Sequence, residues 1–141
     1  MKAPFPDVMA SLAVTDVSSA AEFYVTAFGM RLRSAPMKDP QGVAFHAELV
    51  HGDGVIMLGL EGPGADGPRS PRTTLHAPPM TMYVYVEDVD AHYLQAKEKG
   101  ATVIAPPAQM FWGDRVHQVK CPEGYRWMFA THTGVFAAPS F

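Results

Sequence analysis

Two pairs of residues have the side-chain types and the spacing to transfer protons. His46 and Glu48 lie two residues apart, and Arg115 and His117 are spaced in the same way. On a β-strand the two members of each pair would point to the same face, because side chains alternate between faces. An imidazole beside a charged group can act as a general base or orient a ligand near neutral pH. His46, Glu48 and His117 are therefore candidate catalytic residues.

Aromatic side chains could form a surface for a planar ligand. Tyr83 and Tyr85 occupy alternate positions of one segment, and they offer both ring faces and hydroxyl groups. Trp112 precedes a Gly-Asp-Arg sequence of the kind found in ligand-facing loops, so we expect its indole to stack on the ligand. We expect Asp114 and Arg115 to form a local ion pair that fixes this loop. The alternative for the tyrosines is that they only fill the core.

The composition argues against several classes of protein. The 141 residues are 48% hydrophobic and 18% charged, as in an ordinary globular domain with its own core. A net charge of −3 without a basic stripe argues against nucleic-acid binding. No apolar run approaches the roughly 18 residues of a membrane helix, and no export signal is recognisable. The single cysteine, Cys121, excludes an internal disulfide and a thiolate zinc cluster. We expect a cytoplasmic protein.

The first half of the chain has the pattern of a strand, a helix and three strands. An apolar run over residues 8–14 predicts the first strand. Ser19 and Glu22 form a capping-box pattern at the start of a helix that ends before Gly29. Three β-prone segments follow, the last two joined by a Gly-Asp-Gly turn, at residues 31–37, 43–51 and 54–60.

The same order returns after a segment rich in glycine and proline. That segment, residues 61–79, predicts a linker without regular structure. Residues 80–86 then predict a strand, and Asp88 caps a helix that ends near Gly100. Three further strands are predicted at residues 101–105, 113–120 and 125–132.

The two halves match each other along their length. Val14-Thr-Asp-Val17 aligns with Val86-Glu-Asp-Val89, 72 residues later, and Gly29 aligns with Gly100, 71 residues later. The second spacing also pairs His46 with His117 and Met57 with Met128. An internal repeat of this kind predicts an α+β fold of two tandem βαβββ modules, residues 7–60 and 80–133, in a single domain spanning residues 1–141.

Motifs in both modules carry a family resemblance. The first module contains Asp16, then Glu22-Phe-Tyr24, then Phe28-Gly-Met30. The second contains Tyr85-Val-Glu-Asp-Val89, Gly100-Ala-Thr-Val103, Trp112-Gly-Asp-Arg115 and Pro122-Glu-Gly-Tyr-Arg-Trp127. Over residues 7–133 the chain resembles the vicinal oxygen chelate superfamily of glyoxalases, bleomycin resistance proteins and dioxygenases, and in particular its metal-poor, bleomycin-resistance-like branch. The resemblance implies two half-barrels that form a small-molecule cleft, often completed across a homodimer.

The resemblance also implies where metal-dependent relatives would place their ligands. One ligand is expected near the start of each module's first strand and one in its last strand, and here those positions hold Met9, Met57, Thr81 and Met128. Divalent metals need carboxylate or imidazole donors, for which thioethers are weak substitutes. We therefore expect neither a metal nor another cofactor. A copper(I) site is a less favoured alternative, because methionine in such strands more often serves as adaptable packing.

Alternation along the strands extends this lining of the cleft. If Met9 and Thr81 point inward, so do Ser11, Tyr83 and Tyr85. Methionines in the cleft favour an irregular apolar or aromatic ligand. The candidate ligand contacts are Met9, Ser11, Met57, Thr81, Tyr83, Tyr85, Trp112, Arg115 and Met128.

Several functions fit this pattern. The first is a metal-independent protein that binds and sequesters an apolar or aromatic metabolite or antibiotic. The second is a metal-independent lyase or isomerase, in which His46, Glu48 or His117 transfers a proton and Tyr83 or Tyr85 stabilises an oxyanion. The third is a metal-dependent glyoxalase or dioxygenase, and the last is a dimerisation or regulatory module.

Overall fold

The structure is a computed structural model that describes residues 1–62 and 66–139, so residues 63–65 of the predicted linker lie outside the described residues. The chain divides into two compact units, Met1–His76 and Ala77–Phe141. Each unit contains one β-sheet and one long helix, which confirms the predicted α+β fold class. The assignment of both modules to a single domain stays a prediction.

The first unit contains a mixed sheet with the strand order β1-β5-β4-β2, and β3 also pairs with β4. β1 runs parallel to β5, whereas the other pairs are antiparallel. Its elements are β1 (Ala10–Val14), α1 (Val17–Phe28), β2 (Arg31–Leu32), β3 (Met37–Lys38), β4 (Ala44–His51), β5 (Gly54–Leu60) and the short helix α2 (Pro71–Thr74).

Helix α1 covers one face of this sheet. Leu12, Leu49 and Leu58 alternate with more exposed neighbours and are buried on the helix side. The helix contributes its own buried stripe, including Tyr24 and Phe28, whose rings stack 5.5 Å apart. The other face of the sheet, here called the open face, is left to the alternate residues.

The start of α1 differs from the predicted capping box. The N-cap is Asp16, whose carboxylate accepts a hydrogen bond of 2.8 Å from the backbone N–H of Ser19. The Ser19–Glu22 pattern was therefore the wrong cap, because an aspartate three residues earlier already satisfies the first free amides. The predicted stop at Gly29 is confirmed, since this residue takes the left-handed conformation with φ of 72°.

The predicted strand over residues 31–37 is also wrong, because it splits into β2 and β3. Pro36 lies between them and has no N–H to donate to a sheet. Likewise the predicted linker is not wholly irregular. It contains α2, which begins after Ser70, and Glu61 accepts hydrogen bonds from the backbone of Ser70 and the hydroxyl of Thr73.

The second unit contains a four-stranded sheet with the order β6-β9-β8-β7, in which β6 runs parallel to β9. Asp88 is the N-cap of its long helix, as predicted. Its elements are β6 (Thr81–Tyr85), α3 (Val89–Glu98), β7 (Thr102–Gln109), β8 (Asp114–Lys120) and β9 (Arg126–His132). None of the helices in residues 1–62 and 66–139 is long and apolar enough to span a membrane.

The two sheets share one topology, which agrees with the internal repeat, but one predicted equivalence is wrong by a residue. Met57 pairs with Ser11, and Met128 pairs with Tyr83, as the alignment requires. His46, however, pairs with Gly59, whereas His117 pairs with Phe129. The hairpin of β4 and β5 needs two turn residues and that of β8 and β9 needs five, which shifts the register. A shift of one residue moves a side chain to the opposite face of a sheet.

Candidate functional site

The two faces of the second sheet have different roles. Trp127 and Phe129 are fully buried under α3. The alternate positions, including Tyr83 and Tyr85 of β6, lie on the open face, where their side chains are 40% and 56% exposed. The open face of this unit thus presents aromatic rings to solvent.

A single carboxylate organises the aromatic residues of this face. Asp114, only 1% exposed, accepts hydrogen bonds from the hydroxyls of Tyr83 at 2.5 Å and Tyr85 at 2.8 Å. The indole N–H of Trp112 donates to Asp114 at 3.2 Å and to the Tyr83 oxygen at 2.9 Å. On the other carboxylate oxygen, Nδ1 of His132 lies 2.8 Å away and carries the proton, because an ionised carboxylate can only accept.

The hydrogen bonds determine the ionisation of this cluster. Burial acts to raise the pKa of Asp114, but the hydrogen bonds from Tyr83, His132 and Tyr85 outweigh it and hold the pKa below its usual value. Burial and then the bond to Asp114 raise the pKa of Tyr83. The bond to Asp114 is the main cause of the raised pKa of Tyr85. Asp114 is therefore an anion that holds two neutral phenols.

The turn between β7 and β8 brings Trp112 to this cluster. Gly113 adopts φ of 94°, a conformation that favours glycine. A Cβ atom at this position would lie 3.0 Å from the ring of Phe136, so a side chain would also displace that ring. The turn is closed by the N–H of Met110, which donates to the Asp114 carbonyl at 2.8 Å. The indole is thus fixed beside the two tyrosines, and we call Tyr83, Tyr85 and Trp112 the aromatic platform.

The predicted ion pair between Asp114 and Arg115 is wrong. Adjacent strand residues point to opposite faces, so Arg115 lies on the helix side of the sheet. There its guanidinium makes two hydrogen bonds with Asp90 of α3, at 2.8 and 2.9 Å. The candidate ligand contact Arg115 is therefore separated from the aromatic platform by the sheet itself.

His117 is on the same helix side. It is fully buried, and its Nε2 lies 2.9 Å from Nδ1 of His92, while its ring stacks on Phe129. Burial, and then the neighbouring His92, lower the pKa of His117 to about 4. Its Nδ1 has no hydrogen-bond partner in the described part of the chain, so the tautomer protonated on Nε2 leaves no buried donor unpaired. His117 does not converge with the aromatic platform.

The other candidate proton-transfer pair is on the open face of the first sheet. Nε2 of His46 lies 3.0 Å from Glu48, and the guanidinium of Arg33 lies 3.6 Å from the same carboxylate. The register places Glu48 beside Met57, which in turn pairs with Ser11. The predicted common face of His46 and Glu48 is confirmed, and the register shows that Ser11 and Met57 share it.

The four positions implied for a metal do not fit a divalent cation. Ser11 and Met57 are register partners, and Met9 lies immediately before β1. In the second unit Met128 pairs with Tyr83, and Thr81 pairs with Arg126. Three thioethers and one hydroxyl are poor donors for zinc, iron or magnesium. Within residues 1–62 and 66–139, no three His, Cys, Asp or Glu side chains are grouped closely enough to hold a metal ion.

Sequence reasoning missed two members of these clusters. His132 ends β9 opposite Asp114, a pairing that appears only once the register is known. Arg33 lies after β2, where a continuous strand was expected, and its link to Glu48 also depends on the register. The sequence shows only that each is a charged or titratable residue in or next to a β-prone segment. Its partner cannot be identified until the pairing of the strands is known.

Comparison with known proteins gives a family and a fold. A family model described as Glyoxalase/Bleomycin resistance protein/Dioxygenase superfamily matches residues 7–129. An uncharacterised protein of Mycobacterium bovis is 36% identical over 124 residues, which are 86% of this chain and 80% of that protein.

Two solved structures show the same architecture. TioX from Micromonospora sp. ML1 is 28% identical with a TM-score of 0.69, and the match covers 90% of this chain and 98% of TioX. TnmS3, an antibiotic binding protein from Streptomyces sp. CB03234, is 21% identical with a TM-score of 0.67, over 94% of this chain and all of TnmS3. At 21% identity, the likeness to TnmS3 supports the fold alone.

Proposed function

Because the chain belongs to the Glyoxalase/Bleomycin resistance protein/Dioxygenase superfamily, we propose that it binds an apolar, planar small molecule without a metal and without altering it chemically. The observation that carries this proposal is the aromatic platform. Tyr83, Tyr85 and Trp112 are each at least 37% exposed, yet their polar atoms are bonded to one another and to Asp114. Rings whose polar ends are already satisfied offer their faces to an aromatic ligand at little cost in ordering.

The neighbourhood of the platform supports a ligand of apolar character. Met128 is the register partner of Tyr83, and Ala130 is the partner of Tyr85, so the strand beside the platform contributes a thioether and a small side chain. Methionine adapts to irregular apolar shapes. Binding is also a function that this fold carries elsewhere, since TnmS3 is an antibiotic binding protein. An antibiotic or an aromatic metabolite is the class of ligand that fits.

A second candidate function is a metal-independent lyase or isomerase. The contact between His46 and Glu48 favours it, because a carboxylate that orients an imidazole makes a general base. The tyrosine part of that mechanism is disfavoured. Both phenols donate to an anionic Asp114, so their protons are not available to an oxyanion. A metal-dependent glyoxalase or dioxygenase is disfavoured by the donor set at Met9, Met57, Thr81 and Met128.

The proposal includes a cytoplasmic homodimer. The resemblance to the superfamily implies the dimer, and a single cysteine suits a reducing compartment. Light scattering on the purified protein would measure the mass of the particle, and a monomer at micromolar concentration would remove the dimer from the proposal without affecting the platform.

Calorimetric titration with three neutral planar compounds, menadione, acridone and anthraquinone, tests the proposal. We expect at least one to bind saturably and the Trp112→Leu variant to bind it about tenfold more weakly, since one stacked ring contributes roughly 1–3 kcal/mol. Phe45→Leu is the matched control, because Phe45 is a similarly exposed ring in the first unit. Failure of all three compounds, or equal losses in both variants, would overturn the proposal.

Metal analysis tests the proposed independence from a metal. The protein is left untagged, purified without chelators and then incubated with divalent metals. We expect substoichiometric zinc, nickel, iron and manganese. Near-stoichiometric retention of any of them would contradict the metal-independent assignment. Conversion of a bound compound, detected by mass spectrometry and abolished by Glu48→Gln, would instead favour the lyase or isomerase.

A further inference from the structure

An open cavity of about 580 Å³ lies wholly within the first unit. Its floor is the end of the open face, formed by Val50 and Val55, which are register partners on β4 and β5. Its other side is the segment before β1, residues 3–6, which includes the ring of Phe5. The volume falls within the range of small-molecule sites, roughly 300–1,000 Å³.

Arg33 ties the preceding segment to the sheet and is thereby occupied. Its guanidinium donates to the carbonyl of Pro4 at 3.2 Å and lies 4.0 Å from the centre of the Phe5 ring. The same group faces the carboxylate of Glu48 at 3.6 Å. A cation with a carbonyl, a ring and a carboxylate around it holds the cavity in shape and has little capacity left for a ligand.

Arg31, unlike Arg33, is unpaired in the described part of the chain. It also lines the cavity, opposite Val50 in the pairing of β2 with β4. Throughout the described ranges, 1–62 and 66–139, its guanidinium has no hydrogen-bond or ion-pair partner. The planar fork of an arginine matches a carboxylate in two parallel hydrogen bonds. An unpaired arginine beside the apolar floor of Val50 and Val55 is therefore a recognition element for an anion.

We infer that this cavity, which is lined by residues of the first unit alone, binds a small monoanion, a carboxylate with an apolar or aromatic body. The carboxylate pairs with Arg31, and the body lies on Phe5, Val50 and Val55. Asp53, in the turn between β4 and β5, is the one acidic residue among those that line the cavity in the described part of the chain. Its charge disfavours a second anionic group on the ligand, because like charges repel.

Titration with naphthalene-2-carboxylate, followed by backbone amide shifts in NMR spectra, tests this site on the full chain. We expect saturable shifts at Arg31, Val50 and Val55, and much weaker binding of the neutral naphthalene-2-carboxamide. Arg31→Gln should weaken carboxylate binding about tenfold, the usual effect of losing a charge-assisted hydrogen bond. Asp53→Asn should strengthen it, by about twofold to fivefold, because a like charge is removed.

Two controls separate this site from general electrostatics and from the proposed function. Arg72→Gln makes the same change in net charge away from the cavity and should leave the affinity unchanged. Val55→Phe places a bulkier side chain where the body of the ligand would lie, keeps Arg31 and should weaken binding. The inference is overturned if Arg31→Gln binds as well as the wild type, or if shifts occur only at Tyr83 and Trp112. The latter result would leave the aromatic platform as the site of both ligands, whereas loss of the platform would not affect shifts at Arg31.

Discussion

The hydroxyl of Tyr83 donates to the buried carboxylate of Asp114 across 2.5 Å, and this bond joins β6 to the start of β8. Tyr85, Trp112 and His132 add bonds to the same carboxylate. An anion that is almost fully buried and accepts four hydrogen bonds is stable only while its donors remain in place. The geometry of the aromatic platform therefore depends on one residue that does not contact solvent.

Asp114→Asn should destabilise the fold by on the order of 2 kcal/mol. The substitution replaces an acceptor oxygen with an N–H₂ group, which then faces donors from tyrosine, tryptophan or histidine. Urea denaturation measures the loss. Asp90→Asn is the matched control, since Asp90 is exposed and its pair with Arg115 is solvated, and it should change the midpoint little. Equal effects of the two substitutions would contradict the central role of Asp114.

The hydrogen bonds to Asp114 should also change the ionisation of Tyr83 and Tyr85. In the native protein both phenols should ionise at higher pH than ordinary tyrosines, because their protons are bonded to an anionic carboxylate. Ultraviolet titration of tyrosinate absorbance would show a late-titrating component. It should disappear in the Tyr83→Phe, Tyr85→Phe double variant, whereas Tyr93→Phe should leave it intact, because the Tyr93 ring packs against His117 and not against Asp114. A native titration with no late component would contradict the hydrogen-bond assignment.

The stability of the fold should decrease as the pH is lowered, because burial holds the pKa of His117 low in the folded protein. The unfolded residue titrates near 6.5, and the folded pKa is about 4. Between these values the unfolded chain binds a proton that the folded chain does not, so the stabilisation is complete above the unfolded pKa and is lost as pH falls toward the folded one. The shift corresponds to roughly 3 kcal/mol.

Urea midpoints at about pH 7.5 and about pH 4.5 measure this effect. Carboxylates also lose stability in acid, so the useful quantity is the difference between the wild type and His117→Gln, whose neutral side chain cannot titrate. His76→Gln, at an exposed position, is the control. If His117→Gln loses as much stability in acid as the wild type, His117 is not the neutral buried group described here.

The sequence predicts much of this fold because its signals are local. Glycine at position 29 ends α1, Asp88 caps α3, and the β-prone run after the Gly-Asp-Gly turn gives β5 its observed bounds. Errors arose where the outcome depends on distant partners. The alignment of His46 with His117 is wrong by one residue, because the two hairpins differ in length, and that single residue moves His117 from the open face to the helix side.

The same dependence on distant partners explains which residues of the candidate site could be predicted from the sequence. Tyr83, Tyr85 and Trp112 could be chosen from their type and from strand alternation, but the role of Asp114 could not. Its natural partner in the sequence is the adjacent Arg115, which the pleat directs to the other face. A local charge pattern cannot reveal that the true partners are 29 and 31 residues away.

Trp112 and Arg115 should therefore respond differently to substitution, although both were candidate ligand contacts. Trp112→Leu should weaken binding of a planar compound about tenfold, because it removes an exposed ring from the open face. Arg115→Gln should leave the affinity unchanged, since its guanidinium is bonded to Asp90 on the helix side. Calorimetric titration of both variants with the same compound measures the contrast. Loss of affinity in Arg115→Gln without loss of stability would mean that ligand reaches the helix side of the sheet, and the assignment of the open face would have to be abandoned.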